Sequence, residues 1–295
     1  MPDELEILKK LLPTLPQAGS VVVGPGDDCA ALEWSSDGLL LAAVDQLVGG
    51  VHYFRESTPP RQAGRKLLCR NLSDIAAMGG YPLWALLTVA SSGRGAEWVV
   101  EFCRGVSDCG REFGVSVVGG DISSLPSEGE VATLTILGKV RRGEVVLRRR
   151  AKSGDLLYVT GELGNSLASG HHLDFSPRLA EGRFLAEGRY ASAMLDVSDG
   201  LLLDARRLAE ASGVRLTVDP ATLPLRAGAD QSGALIDGED YELLFTVPPE
   251  RAGELERNWK FGQLTRIGAA EPGSPEVAGP DGDPLSVNGK YGYEH

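Results

Sequence analysis

Aspartates recur where short apolar runs of this chain stop. VVVGPGDD closes on Asp27 and Asp28, GLLLAAVDQ carries Asp45, VSVVGGD ends on Asp121, and AMLDVSDG carries Asp196 and Asp199. A helix-like stretch, RKLLCRNLSDIAAMGG, adds Asp74. Each apolar run reads as a buried strand ending at a glycine or an acid, and strand ends are where open α/β folds place ligands. Carboxylates that converge repel one another and call for a cation. Hard divalent ions take oxygen ligands, and Mg²⁺ commonly holds substrate phosphates as well. A single aspartate after a strand is an ordinary turn or N-cap residue. Recurrence in four strand-end contexts is what raises a shared metal site beside that simpler reading.

The elements that would carry these side chains can be read from periodicity. Residues 4–12 read as a helix, 21–24 and 38–47 as strands, and 59–80 as a long helix opened by Pro59-Pro60. Asn71 and Asp74 lie one turn apart on that helix and share a face. A strand at 83–91, a helix at 96–113 closed by Gly114, and strands at 115–119 and 130–140 follow. A second series begins after the arginines: a strand at 156–160, a helix near 164–171, a strand at 193–197, an amphipathic helix ending on Gly213, and strands at 214–218 and 241–247. Residues 271–288 read as loops joined by short strands. The expected fold class is α/β (α+β), with two domains of mixed sheets flanked by helices. Turn residues and charge concentrate at 142–152, which divides the chain into an N-terminal half, 1–145, and a C-terminal half, 146–295.

Length and composition bound the function. With 295 residues, 42% hydrophobic and 24% charged, the chain has the make-up of a soluble globular protein large enough for two cores. No apolar run approaches the ~20 residues of a membrane span, and the acidic, amphipathic N-terminus is not a signal peptide. Cys29, Cys69, Cys103 and Cys109 form no CxxC pair, which disfavours zinc and a disulfide framework and fits a cytoplasmic setting. A net charge of −12 argues against nucleic acid and acidic membranes as partners. The local run Arg141-Arg142 and Arg148-Arg149-Arg150 is the exception, either a solvated face or a contact for polyphosphate. There is no GxxxxGK[ST], no HRD with DFG and no GxSxG, and GPGDDC lacks the third glycine of a dinucleotide fingerprint. Gly119-Gly120-Asp121 and Gly161–Ser166 remain as candidate backbone cradles for phosphate.

The segments GPGDDCA, VDQLVGGVHY, NLSDIAAMGG, VGGD, AKSGDLLYVTG, LDVSDGLLLD, DGEDYELLF and GYEH occur in one order along nearly the whole chain. Together they resemble the thiamine-monophosphate kinases, of the superfamily that includes aminoimidazole ribonucleotide synthetase and selenophosphate synthetase. The resemblance implies ATP-dependent phosphorylation of thiamine monophosphate with several Mg²⁺ ions. It also implies a homodimer paired through the N-terminal domains, with ATP near the interface. By position, Asp28, Asp45, Asp74, Asp121, Asp196 and Asp199 match metal ligands. Gly120, Asp121, Arg148 and Ser198 match nucleotide contacts, and His52, Glu239 and Tyr293 match positions facing the thiamine phosphate. An aromatic ring and a carboxylate suit a flat cationic thiazolium.

The chain departs from the family pattern at two places that bear on chemistry. Ala43-Val44 stand before Asp45 where the family has Ser-Thr, and Arg148-Arg149-Arg150 stand where the family has Arg-Ser-Gly. Tyr291 competes with Tyr293, and each arginine of the run competes for the nucleotide. Two rivals follow: a sister ATP-dependent enzyme of the superfamily, and a non-catalytic binder of nucleotide or metabolite. GEDYEL and the terminal aromatic match the thiamine branch, and the loss of Ser-Thr favours the binder.

Overall fold

The computed structural model describes Ile7, residues 10–16 and residues 18–293. Most of the helix expected at 4–12 lies outside the described residues. The chain builds two six-stranded sheets, the first from residues 21–141 and the second from residues 156–278.

The first sheet contains β1 (Val21–Val23), β2 (Ala30–Glu33), β3 (Gly38–Val48), β4 (Tyr81–Ser92), β5 (Ser116–Ser123) and β6 (Gly129–Arg141), in the order β1-β2-β3-β6-β4-β5. Its pairs are antiparallel except β4–β5. Alternation in β4 sorts side chains cleanly. Ala85, Leu87 and Val89 are buried under helices, while Trp84, Leu86 and Thr88 are exposed on the opposite face. The covering helices are α1 (Pro60–Ala77) and α2 (Ala96–Phe113). α1 opens with Pro60 at its first position, and α2 closes on Gly114, whose φ of 72° suits a left-handed cap. A Cβ on Gly64 of α1 would lie 2.1 Å from the Phe102 carbonyl of α2, so the two backbones touch there.

The second half adds β7 (Leu156–Thr160), the short turns α3 (Ser166–Ser169) and α4 (His171–Asp174), α5 (Leu179–Glu187), β8 (Ala193–Asp196), α6 (Leu201–Ser212), β9 (Arg215–Val218), α7 (Gln231–Ile236), β10 (Leu243–Val247), α8 (Pro249–Asn258), β11 (Leu264–Glu271) and β12 (Val277–Ala278). The sheet order is β12-β9-β11-β7-β10-β8, antiparallel apart from β12–β9. The strands are covered on both faces. Tyr158 and Phe245 join the core that runs through α1, whereas Leu157, Val159 and Leu244 join a second core with Leu201, Leu202, Ala205 and Leu208 of α6. α1 is therefore packed against both halves, and twelve of its residues are buried. A helix so placed delivers its polar side chains to the junction of the two sheets.

The expected helix near 164–171 is two separate turns, because Gly170 at φ 78° breaks it. β5 continues to Ser123, so Gly119-Gly120-Asp121 lies inside a strand and not in a turn. A Cβ on Gly120 would stand 1.7 Å from the Leu87 carbonyl, just past the register shift between Ala85 and Leu86, which gives that glycine a structural reason.

Candidate functional site

The junction gathers three of the expected metal ligands. Carboxylate oxygens of Asp28, Asp74 and Asp196 all lie within 4.8 Å of one another. They come from three places: the loop after β1, the last turn of α1 and the end of β8. The Asp28 side chain takes the Arg148 guanidinium at 2.6 Å, and Asp196 accepts from Ser73 Oγ at 2.6 Å. Asp27 does not join them. It accepts from the backbone N–H groups of Asp28 and Arg148 and so fixes the loop that presents Asp28.

Burial without enough positive charge marks the electrostatics. Desolvation, then the charges of Asp45, Asp196 and Asp28, push the Asp74 carboxyl well above its usual range. Desolvation and the Asp28 charge raise Asp196 to about 8, against a lowering by Ser73. Asp74 also sits near the C-terminal end of α1, where the helix carbonyls disfavour an anion. One turn earlier, Asn71 donates to the Leu67 carbonyl while its Oδ1 is buried with no partner among the described residues. Three buried carboxylates that converge offer the oxygen ligands hard divalent cations take, and Asn71 adds an unsatisfied amide oxygen one turn earlier on the same helix.

The other expected ligands stand apart from this group. Asp45 lies close enough to raise Asp74, but its carboxylate is paired with Arg70 at 3.4 Å. Asp199 is paired with Arg207 at 2.7 Å. Asp121 is exposed on the edge strand β5 and, with Gly120, lines a cleft of about 510 Å³ beside α2. Arg148 is the one arginine of its run that reaches the carboxylates; its guanidinium is largely buried against Asp28.

A second grouping lies alongside. His52, Ser198, Asp199, Glu239 and Tyr293 line one pocket, together with Arg70. The Val48 N–H donates to His52 Nδ1 at 2.9 Å, so the neutral ring carries its hydrogen on Nε2. Tyr291 is elsewhere, with the Arg206 guanidinium over its ring. Backbone contacts lock the pocket loops together. Glu239 N–H donates to the Ser198 carbonyl at 2.7 Å, and Tyr293 N–H donates to the Asp199 carbonyl at 2.8 Å.

The GEDYEL segment divides its labour by position. Glu239 and Tyr241 both hold positive φ, 56° and 52°, an uncommon conformation for residues with side chains and one that collects at functional sites. That backbone turns Glu239 toward the pocket. Asp240 is buried the other way, accepting from Gly164 N–H and from Arg226. Glu242 holds Thr160 and Arg178, and the Tyr241 ring stacks on Phe175 at 4.1 Å. Asp240 thus occupies a backbone donor of the Gly161–Ser166 loop that was a candidate phosphate cradle, and Asp237 takes Asn165 N–H.

Four positioning residues were not singled out from the sequence. Lys66 is fully buried on α1, and its ammonium donates to both Glu239 oxygens at 2.9 and 2.7 Å and to the His52 carbonyl at 2.6 Å. His172 packs 2.8 Å from that ammonium and 3.2 Å from Glu239. Burial opposes the charge on Glu239, but the His172 hydrogen bond and Lys66 outweigh it and hold the carboxyl at about 2. Asp204, from the first turn of α6, accepts the backbone N–H groups of Ser198 and Asp199. Arg70 ties Asp45 to the pocket wall. A lysine inside an apolar helix read RKLLCRNLSD was the available signal, since a fully buried lysine needs a partner.

Comparison with known proteins agrees in extent and in kind. Residues 26–140 match the family model of the AIR synthase related protein N-terminal domain. Over 270 residues the chain is 38% identical to thiamine-monophosphate kinase of Rhodopirellula baltica, covering 85% of this chain and 84% of that protein. It is 32% identical to the Escherichia coli K12 protein of the same name, over 93% of this chain and 92% of that one. The solved structure of AaThiL complexed with AMPPCP and TMP is similar with a TM-score of 0.82 at 31% identity, over 99% of this chain and 95% of the other.

Proposed function

The chain belongs to the thiamine-monophosphate kinase family, and from that premise we propose that it transfers the γ-phosphoryl group of ATP to thiamine monophosphate, yielding thiamine diphosphate. The observation that carries the reading is the adjacency of two sites: the carboxylate group Asp28, Asp74 and Asp196, and the pocket lined by His52, Glu239 and Tyr293. The related AaThiL structure holds AMPPCP and TMP, an ATP analogue beside the substrate class proposed here.

Each grouping suits one reactant. Mg²⁺ held by Asp28, Asp74 and Asp196 would offset the charge of the ATP phosphates. Arg148, already in that group, adds a guanidinium fork matched to phosphate oxygens. The Nε2–H of His52 is a donor for the phosphate of thiamine monophosphate. Glu239, held ionised by Lys66 and His172, offers a negative charge to the thiazolium, and the half-exposed Tyr293 ring offers a face for it. The attacking group is itself a phosphate oxyanion, so no general base is needed, and positioning with charge neutralisation supplies the rate enhancement.

Two finer assignments belong to the same reading. Asp45, Asp121 and Asp199 act as further metal ligands when nucleotide is present, and Gly120 and Ser198 contact the nucleotide. The chain acts as a homodimer joined through the first sheet, with residues 1–145 supplying the metal and dimer contacts and 146–295 completing the substrate pocket. β5 supports this, being an exposed edge strand with Val118 and Ile122 at 58% and 67% exposure, next to the open sheet face bearing Val44 and Leu86. Incubating the purified protein with ATP, Mg²⁺ and thiamine monophosphate tests the function. Formation of thiamine diphosphate and ADP in equal amounts is the expected result. Binding of both substrates without turnover would make the chain a metabolite-binding relative instead.

A further inference from the structure

Arg149 and Arg150, which stand where the family has Ser-Gly, turn away from the carboxylates that Arg148 meets. They line a separate cleft of about 690 Å³ between the segment linking the two sheets and the loop after α5. Lys152 and Arg189 complete its cationic rim, and Val145, Val146, Ala151 and Ala186 form a buried apolar floor. The cleft shares no lining residue with the His52 pocket or with the Asp28, Asp74 and Asp196 group.

The charge there is uncompensated. Among the described residues no ion pair includes Arg149, Arg150, Lys152 or Arg189. The one carboxylate on the lining, Glu144, is engaged by Arg141 at 3.2 Å. Four cations facing one cleft on a chain of net charge −12 repel each other unless an anion sits between them. One of them is held in place: Arg150 Nη1 donates to the Val145 carbonyl at 3.2 Å. Arg189 has a left-handed backbone at φ 53°. Guanidinium forks on an exposed rim match multidentate oxyanions, and an apolar floor beneath gives room for an organic group.

We infer that this cleft is a second anion site of the chain, which takes the diphosphate group of a small phosphorylated molecule. The inference stands apart from the kinase reading. The probe is inorganic pyrophosphate titrated calorimetrically in EDTA at low salt, where no Mg²⁺ can bridge it to the carboxylate group and substitutions in the cleft report the share bound there. One pyrophosphate per chain is expected, with binding weakened by added salt. Lys152→Ala with Arg189→Gly, the latter chosen because glycine accepts the left-handed backbone, should weaken binding at least tenfold and leave kinase turnover unchanged. Should that pair fold poorly, Arg149→Ser, which restores the family residue, should weaken binding severalfold. Asp74→Asn should bind pyrophosphate as wild type does. Repeating the titration with ADP and with thiamine diphosphate separates the sources, since the tighter of them, lost in the double variant, carries the organic group that the floor accepts. No saturable binding in EDTA, equal binding by the double variant, or binding lost in Asp74→Asn would each overturn the inference.

Discussion

At the scale of residues, the central fact is that Asp28, Asp74 and Asp196 share a small buried volume with a single guanidinium. Such a group stores unfavourable charge when no cation is bound, a common cost of a functional site. The sign of its pH dependence follows from linkage. Asp196 is raised from 3.8 to about 8, so the folded chain keeps a proton that the unfolded chain has already lost. Stability in EDTA should therefore fall as pH climbs from about 4 to about 8, and saturating Mg²⁺ should remove the decline by taking the proton's place. Melting temperatures across that window check this, and a flat profile in EDTA would contradict it. Asp74→Asn should make the EDTA profile shallower and cut turnover on the order of 10²-fold or more, the scale of losing a metal contact. A second prediction separates the two reactants. Tyr293→Ala should raise KM for thiamine monophosphate about tenfold, the loss of roughly 1.4 kcal/mol, with little change for ATP. Equal effects on both would mean that the substitution loosened the tail where Tyr293 N–H meets the Asp199 carbonyl.

At the scale of elements, α1 decides where the chemistry sits. It carries Lys66, Arg70, Asn71, Ser73 and Asp74, and it is wedged between the first sheet, α5 and β8. α5 approaches so closely that a Cβ on Gly182 would lie 2.1 Å from the Ala76 carbonyl, two residues beyond Asp74. Gly182→Ala should cost about 1–3 kcal/mol of stability by overpacking and lower turnover by shifting Asp74. Thermal denaturation with a kinase assay tests both, and an unchanged melting temperature would show that α5 can slide aside. The same contact explains one limit of the sequence. α5, α8 and β11 were not marked, because each is short and holds an internal glycine, whereas α1, α2 and β6 are long enough for their periodicity to outweigh theirs. Gly182 and Gly268 are required by neighbours remote in sequence, the latter where a Cβ would sit 1.7 Å from the Thr217 carbonyl. α1, α2, α6 and the strands β3, β6 and β7 were legible because their periodicity and caps are local. The site was legible in part. The aspartates and the pocket trio His52, Glu239 and Tyr293 were named; Lys66 left a signal as a lysine inside an apolar helix, whereas His172 and Asp204 act through contacts that no spacing reveals.

At the scale of the whole molecule, Asp121 and Gly120 lie on the exposed edge strand β5, in a cleft that shares no residue with the His52 pocket or the Asp28, Asp74 and Asp196 group. The proposed homodimer, joined through the first sheets, would bring them to the interface. Val118→Asp should therefore convert a dimer to a monomer in light scattering and lower turnover more than it lowers melting temperature. A wild-type chain monomeric at micromolar concentration would remove the homodimer from the account.

The architecture as a whole argues for one reaction course. Asp28, Asp74 and Asp196 converge, Asp45 and Asp199 are paired with arginines, and neither grouping pairs a nucleophile with a base, so under the proposed function transfer should run directly from ATP to thiamine monophosphate. A single displacement inverts the configuration at phosphorus, and passage through a phosphorylated enzyme retains it. The decisive measurement is the stereochemical outcome with chirally labelled γ-phosphate of ATP. Inversion in the thiamine diphosphate formed is the predicted result, and retention, or a trapped aspartyl-phosphate at Asp28, Asp74 or Asp196, would contradict the account.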